Sequence, residues 1–375
     1  MQALMTAAPD FEIFLATFPG LEPVLLEEVR AKGFRSARAA PGGVMIRGGW
    51  PDVWRANLEI RGSGRVTARI DSFRASHLSE LDKRARRVAW GAILRRDVAV
   101  RVEATCKASR IYHSGAAVQR VETAIREELG APISREADVS IRALIEKDVC
   151  TLWVDTSGDL LHKRGHKEAV AKAPMRETMA ALFLWQAGFR GAEPVLDPLC
   201  GSGTFVIEAA EIAAGLMPGR ARAFAFEQLA TFDAAAWRAL QAAHTSKAPE
   251  HRFHGSDRDK GAITMSRANA ERAGVSAWTT FEPRTISEIT PPEGPPGLVI
   301  ANPPYGARIG DKTRLTGLYR ALGQTMKSRF AGWRVAIVTT ETSLAHTTGL
   351  PFAPPGPPVA HGGLRVRLFI TEPLA

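Results

Sequence analysis

The sequence predicts an α/β protein in three parts, two small α+β modules followed by a doubly wound parallel sheet. Three observations carry this expectation. Strand-like and helix-like segments alternate from Phe11 to about residue 165, and from Pro174 the rhythm becomes strand-helix-strand with Gly-rich junctions. Asp197, Asp257 and Asn302, residue types able to bind or activate a ligand, each stand at the carboxyl end of a candidate strand. In open α/β sheets ligands bind outside the carboxyl ends of the strands, so these positions and the fold class support one another.

In the first part, residues 1–60, FEIFLATF reads as a strand, LEPVLLEEVRAKGF as a helix that Gly33 can stop, and Val44-Met45-Ile46 as a short strand. The second part, residues 61–165, offers RVTARIDSF as a strand and SELDKRARRVAW as a helix started by Ser79. VAVRVEATC follows as a strand, AAVQRVETAIREEL as an amphipathic helix ending at Gly130, and VSIRALIEKDVCTLWVDTSG as two strands. LHKRGHKEAVAKAP is the expected linker into the third part, residues 166–375. There PVLD leads into a Gly-rich turn and a helix from about Thr204, and a short strand ends at Asp257. Gly297-Leu298-Val299-Ile300-Ala301 is apolar and β-branched, and proline follows too soon for a helix. PPEGPPG and PFAPPGPP are short loops, and no repeat of solenoid period is visible.

A chain of 375 residues, 45% of them hydrophobic, can bury ordinary cores. MQALMTAAPDFE lacks a basic stretch followed by an apolar one, and no run approaches the ~18 apolar residues of a membrane span, so a cytoplasmic location is expected. Cys106, Cys150 and Cys200 are widely separated and give neither a disulfide framework nor a thiolate zinc site. The nine histidines show no ligand spacing, so no metal is expected. Residues 61–120 carry almost all of the net charge of +10, with 14 Lys/Arg against 5 Asp/Glu. Such a concentration is either a solvated face or a phosphate-binding surface, because neutralising phosphates releases counterions.

Two motifs carry the chemistry. PVLDPLCGSGTFVIEAAEIA is a strand ending in Asp197, a turn with Gly201-Ser202-Gly203, then a helix whose first N–H groups are free to meet a ligand. It is not a dinucleotide fingerprint, since position 206 is Val, and the Gly-Lys-Ser/Thr of a phosphate-binding loop is missing. Asp197 repels phosphates but suits a cationic or amine-bearing ligand. Asp257, in RFHGSDRDKG, can take both hydroxyls of a ribose, whereas Asp259 reads as a helix N-cap. The second motif, Asn302-Pro303-Pro304-Tyr305, is either a plain stiff turn or a pre-ordered site: two prolines fix φ and remove donors, and an aromatic ring is not needed merely to reverse the chain.

Asp197-Pro198-Leu199-Cys200-Gly201-Ser202-Gly203-Thr204, then Gly255-Ser256-Asp257, then Asn302-Pro303-Pro304-Tyr305-Gly306 resemble the class I S-adenosylmethionine-dependent methyltransferases that act on exocyclic amino groups. Upstream, Arg61-Gly62-Ser63-Gly64-Arg65-Val66, Lys107-Ala108-Ser109-Arg110-Ile111-Tyr112-His113 and Leu161-His162-Lys163-Arg164-Gly165-His166 resemble the ferredoxin-like and THUMP RNA-binding front end of bacterial 23S rRNA guanine-N2 methyltransferases. The resemblance implies a ferredoxin-like domain over 1–60, a THUMP domain over 61–165 and a Rossmann-like methyltransferase domain over 166–375. It also implies S-adenosylmethionine as cofactor and RNA as partner, either ribosomal RNA or a ribosome-assembly intermediate, with no membrane and no obligate protein partner. Related proteins include chains with a second methyltransferase domain, for which these residues leave no room.

The resemblance further implies roles for single residues. Asp197, Cys200, Gly201, Ser202, Gly203, Thr204 and Asp257 would hold the cofactor, and Arg65, Lys107, Arg110, His113 and Arg164 the RNA. The Asn302 side-chain oxygen and the Pro303 carbonyl would accept the hydrogens of the target amine, Pro304 would help to fix the turn, and Tyr305 would stack on the flipped base. The chain departs from the family where an acidic residue commonly meets the adenine: FEPRTISEI offers Thr285, with Glu282 and Glu288 nearby. Cys200 suits packing better than nucleophilic chemistry, and Glu177 and Thr178 in APMRETMA fit either a cofactor-side segment or a capped helix with Pro174 at its start. Amino methylation of another base or of DNA, and a non-catalytic RNA-binding or ribosome-assembly factor, are the alternatives.

Overall fold

A computed structural model describes residues 10–168, 175–305, 312–361 and 363–375; Pro174 and Gly306 lie outside them. The chain forms two compact units, one of Met1–Thr17, Val29–Leu161 and Arg222–His244, the other of Phe18–Glu28, His162–Ala221 and Thr245–Ala375.

The first sheet is built from β1 (Phe11–Ala16), β2 (Arg38–Ala40), β3 (Gly43–Gly48), β4 (Arg65–Arg74), β5 (Val100–Lys107), β6 (Val139–Glu146) and β7 (Val149–Asp155). The helices among them are α1 (Glu22–Ala31), α2 (Trp50–Glu59), α3 (Leu78–Ala85) and α4 (Ser114–Leu129). Strand order is β2-β3-β1-β4-β7-β6-β5, and β4 pairs with both β1 and β7, so one continuous sheet runs through the first two sequence modules. Only β5 and β6 pair in parallel within it. Alternate residues such as Ile13, Leu15, Val66, Ala68, Ile141, Ala143, Leu152 and Val154 are buried, the period of two that a one-sided strand imposes.

α4 buries Ala117, Val121, Ala124 and Ile125 along one face and stops at Gly130, whose φ of +80° is the left-handed cap that glycine adopts without strain. α3 is shorter than its amphipathic pattern suggests: it begins after His77 and ends at Ala85, and Trp90–Ala92 form a separate short turn. α2 is a helix that the sequence pattern does not announce. It starts with Pro51 in its first turn and with Asp52 accepting the Gly49 N–H at 3.1 Å, a capping arrangement concealed behind a Gly-Gly pair.

The second sheet contains β8 (Val195–Asp197), β9 (Phe253–Asp257), β10 (Thr279–Pro283), β11 (Leu298–Ala301), β12 (Arg334–Thr339), β13 (Val359–His361) and β14 (Leu364–Ile370). Its order is β10-β9-β8-β11-β12-β14-β13, parallel from β10 to β12 and antiparallel at β14. The helices along this stretch of chain are α5 (Glu177–Gln186), α6 (Thr204–Ala213), α7 (Ala234–Ala242), α8 (Lys260–Arg272), α9 (Lys312–Arg329) and α10 (Thr342–Thr347). Chain order runs one way through β8, β9 and β10 and reverses at β11, so the topological switch lies between β8 and β11, where open α/β sheets take their ligands. Residues 222–244, which include α7, pack with the first unit although they interrupt the sequence of the second. Their anchor is a cluster of rings: Phe226 lies 5.1 Å from Phe224, 5.0 Å from Trp237 and 6.3 Å from Trp54. Among the described residues no helix is long and apolar enough to cross a membrane.

Candidate active site

The strands β9, β8 and β11 lie side by side, so Asp257, Asp197 and Asn302 stand together at one sheet edge. Asp197 is 2% exposed, and its Oδ1 accepts the Leu199 N–H at 3.0 Å, which bends the chain out of β8. The Cys200 N–H donates to the Ser256 carbonyl at 2.9 Å, and the Gly201 N–H to Asp257 Oδ2 at 3.2 Å. Two side chains on α8 hold the loop from the other side: Ser266 Oγ donates to the Gly201 carbonyl at 2.8 Å and Asn269 Nδ2 to the Ser202 carbonyl at 3.1 Å.

Glycine is required here. Gly203 has φ +84°, and a Cβ there would sit 3.2 Å from the Phe281 ring and from Ser266 Cβ. At Gly255 a Cβ would come within 2.6 Å of Phe281. Phe281 therefore packs tightly against the loop and β9 together. Asp257 Oδ1 also accepts the Asp259 N–H at 3.0 Å, and Asp259 in turn caps α8 through Gly261 N at 2.8 Å, the N-cap role that its sequence position suggests. Each Asp257 oxygen keeps a second lone pair, which suits a pair of ligand hydroxyls.

Burial raises the Asp197 carboxyl to about 8, with the Leu199 N–H opposing the shift and the nearby Asp257 adding to it. A cation beside Asp197 would restore the ionised form, so the site favours a positively charged ligand group. Burial also pushes the Cys200 thiol well above its usual range, and its Sγ lies 3.8 Å from Ser266 Oγ. An inert packing role follows.

Asn302 comes directly after β11, whose residues Leu298–Ala301 are all buried. Its Oδ1 and the Tyr305 hydroxyl are buried with no hydrogen-bond partner among the described residues. Burial lifts the Tyr305 phenol to about 12, and the Asn302 side chain lies close enough to oppose that rise without forming a well-directed bond. Pro303 is buried and Pro304 exposed. A buried acceptor left unused in the protein is unfavourable unless a ligand donor meets it.

Thr285 lies two residues beyond β10, next to β9 in the sheet, but both its N–H and its hydroxyl bond Glu288 Oε2, at 2.8 and 2.9 Å. Glu288 is thereby committed to Thr285. Glu177 opens α5 and is buried, which raises its pKa; Lys167 Nζ meets it at 3.3 Å and bonds Thr204 Oγ1 at 3.0 Å and the Met175 carbonyl at 2.7 Å. Sequence reasoning misses Lys167, Ser266, Asn269 and Phe281. They carry no motif, although Ser266 and Asn269, three residues apart on a helix following an acidic strand end, share a face that could have been noticed.

Of the residues assigned to RNA, Lys107, Arg110 and His113 are exposed; Lys107 reaches Glu146 at 3.0 Å, and His113 caps α4 by accepting the Ala116 N–H at 3.1 Å. Arg65 is only 13% exposed, pairs with Asp155 and bonds the Gly158 carbonyl. Arg164 corrects the expectation. It is 3% exposed and paired at 3.2 Å with the fully buried Glu208 on α6, a structural ion pair out of reach of RNA.

An RMKL-like methyltransferase domain model matches residues 164–350, and an RlmL ferredoxin-like domain model matches residues 12–67. A ribosomal RNA large subunit methyltransferase K/L from Chromohalobacter salexigens is 34% identical over 360 residues, covering 90% of this chain and 49% of the relative. The chain thus spans about half the length of that curated relative. A possible methylase from Clostridium difficile 630 superposes with a TM-score of 0.88 at 27% identity, covering 98% of this chain and 99% of that one. A predicted N6-adenine-specific DNA methylase from Listeria monocytogenes gives 0.86 at 27%, covering 97% and 96%. SMU.472, solved in complex with SAH, gives 0.86 at 25%, covering 98% and 99%. With the sheet order and loop geometry, these likenesses identify residues 164–350 as an RMKL-like methyltransferase domain, of the class I kind whose methyl donor is S-adenosylmethionine, preceded by an RlmL ferredoxin-like domain over residues 12–67.

Proposed function

We propose that this protein transfers a methyl group from S-adenosylmethionine to the exocyclic N2 amine of a guanosine in RNA, and that the RNA is large-subunit ribosomal RNA. One observation carries the reading: Asn302 holds a buried Oδ1 with no well-directed hydrogen bond among the described residues, at the end of β11, one strand from the acidic, Gly-rich loop after β8. Asp197 would hold the cationic methionyl end of the cofactor and Asp257 its ribose, while Gly201, Ser202, Gly203 and Thr204 would give it close access to the backbone. Cys200 packs beneath the loop, and Thr285 stands where the adenine edge is expected, with a backbone group as its contact because Glu288 is occupied.

The bound cofactor supplies an electrophilic methyl group on a sulfonium. A ring-conjugated amine is a weak nucleophile because its lone pair is delocalised. Asn302 Oδ1 and the Pro303 carbonyl accept its two hydrogens and aim the lone pair, while Tyr305 stacks on the base and Pro303 and Pro304 keep the turn stiff. Transfer would form the nitrogen–carbon bond while breaking the sulfur–carbon bond. The nitrogen becomes acidic as it is alkylated, so its proton leaves to water without a dedicated base. Lys107, Arg110 and His113 meet the RNA backbone, as does Arg65 to the extent its exposure allows. A site of action in the cytoplasm, where ribosomal RNA is processed in bacteria, follows from that substrate.

The test is to incubate the protein with methyl-labelled S-adenosylmethionine and unmodified ribosomal RNA and to identify the labelled nucleoside, with Asn302→Ala alongside. Label in N2-methylguanosine, reduced about 100-fold or more in the variant, is the expected result. Label on adenine or in DNA would retain the mechanism and replace the substrate, a second reading that the likeness to the Listeria monocytogenes methylase keeps in view. Absence of cofactor binding would leave a non-catalytic RNA-binding factor.

A further inference from the structure

The sheet of the first unit has two unlike faces. Ile13, Ala68, Val154, Ile141 and Val102 form a row of buried apolar side chains across β1, β4, β7, β6 and β5. One residue along, the row on the other face holds Glu12, Arg69, Trp153, Arg142 and Glu103. Trp153 stands directly between Arg69 and Arg142, whose side chains are 39% and 38% exposed. The ring of Phe14 lies 6.4 Å from that of Trp153, both are half-buried, and Leu144 on the same face is exposed.

The neighbouring row places Arg101 opposite Ser140. Arg101 Nε, Arg142 Nε and Ser140 Oγ are buried from solvent and lack a hydrogen-bond partner among the described residues. Three carboxylates are shared among five guanidiniums: Glu12 meets Arg69 at 2.8 Å and Arg38 at 3.5 Å, Glu103 meets Arg142 at 3.5 Å and Arg101 at 3.7 Å, and Asp155 meets Arg142 at 3.7 Å and pairs with Arg65. Like-charge crowding is evident beside them: burial first, then Arg142 and Arg101, bring the Arg65 guanidinium down to about 10. Crowded, partly exposed guanidiniums that outnumber their carboxylates around a half-buried indole match phosphates and a base plane together. An acidic or apolar protein segment would use the charges or the rings but not both.

The geometry points to this face as a seat for a single-stranded stretch of RNA, with a base stacked on Trp153 and the flanking phosphates held by Arg69, Arg101 and Arg142. It rests on the reading of RNA as the substrate, and it adds a docking surface on the first unit that is separate from the methyl-transfer site. A seat of this kind grips a strand through stacking and charge, with little demand on its sequence.

The experiment measures binding of unmodified ribosomal RNA fragments to wild type, Trp153→Ala and the Arg101→Gln/Arg142→Gln pair, over a range of salt. In parallel, wild type is photocrosslinked to 4-thiouridine-substituted RNA and the linked peptides are identified. Expected are a roughly tenfold weaker Kd for Trp153→Ala and, for the arginine pair, a salt dependence shallower by about 0.7 for each phosphate that the protein no longer neutralises. Crosslinks should fall within β4, β5, β6 and β7, and S-adenosylmethionine affinity should be unchanged. Wild-type affinity in both variants, or crosslinks confined to other elements, would overturn the proposal even if guanine methylation is observed. Conversely, crosslinks on this face without label in N2-methylguanosine would uphold the seat and reject the substrate reading. If Trp153→Ala does not fold, the arginine pair and the wild-type crosslinks decide alone.

Discussion

Asp197→Asn separates the folding and the binding roles of one carboxyl group, with opposite signs. An Asp ordinarily titrates near 3.9, whereas burial lifts Asp197 to about 8. Between those values the folded protein holds a proton that the unfolded chain has released. The contribution of Asp197 to stability is therefore greatest below about pH 4, declines as pH rises toward 8, and is level above that. The slope from this single group is on the order of 1 kcal/mol per pH unit, or roughly 2–3 kcal/mol between pH 5 and pH 7. Asparagine keeps an oxygen for the Leu199 N–H and does not titrate. Urea unfolding of both proteins without ligand at pH 5, 6 and 7 should show the variant gaining on wild type by about that amount. S-Adenosylmethionine should behave the other way: its affinity for wild type rises with pH over the same range because its cationic end favours ionised Asp197, and the variant binds weakly with no such trend. A stability difference between the two proteins that stays flat from pH 5 to pH 7 would refute this account of Asp197.

Three further outcomes are expected. Gly255→Val should lower stability by about 1–3 kcal/mol, read as a fall in Tm, because its Cβ would meet Phe281 at 2.6 Å and Cys200 Cβ at 3.1 Å; an unchanged Tm would mean that β9 and the ring are not in tight contact. Arg164→Ala should remove about 3–5 kcal/mol by stranding the buried Glu208, and Glu208→Gln in the same chain should return part of it; equal loss with and without the second change would point to packing instead. Glu288→Ala should leave S-adenosylmethionine affinity unchanged in calorimetry, since that carboxylate serves Thr285, and weaker binding would assign it to the adenine.

The elements legible in sequence were those whose signals are local. β11 was readable from its apolar, β-branched run before two prolines, and α4 from its periodic face and Gly130. α2 escaped because ten residues with a glycine cap look like a loop, and the end of α3 because the amphipathic pattern outlasts the helix. Burial was the least legible property. Arg164 sits in a basic stretch that reads as a solvent face, yet a carboxylate forty-four residues away takes it into the interior.

By itself the sequence determined which residues could do chemistry and that they close short strands: Asp197, Asp257 and the Asn302-Pro303-Pro304-Tyr305 turn, with Gly201 and Gly203 marking a tight turn from strand to helix. Only the tertiary structure decided that these strand ends are neighbours, because the order β9-β8-β11 is fixed by crossover connections and by pairing between residues about sixty to one hundred apart. It alone decided which charges face water. A guanidinium's place depends on the carboxylates that folding brings to it, and these lie in other segments: Glu208 buries Arg164, while Glu12 and Glu103 leave Arg69 and Arg142 partly exposed beside Trp153.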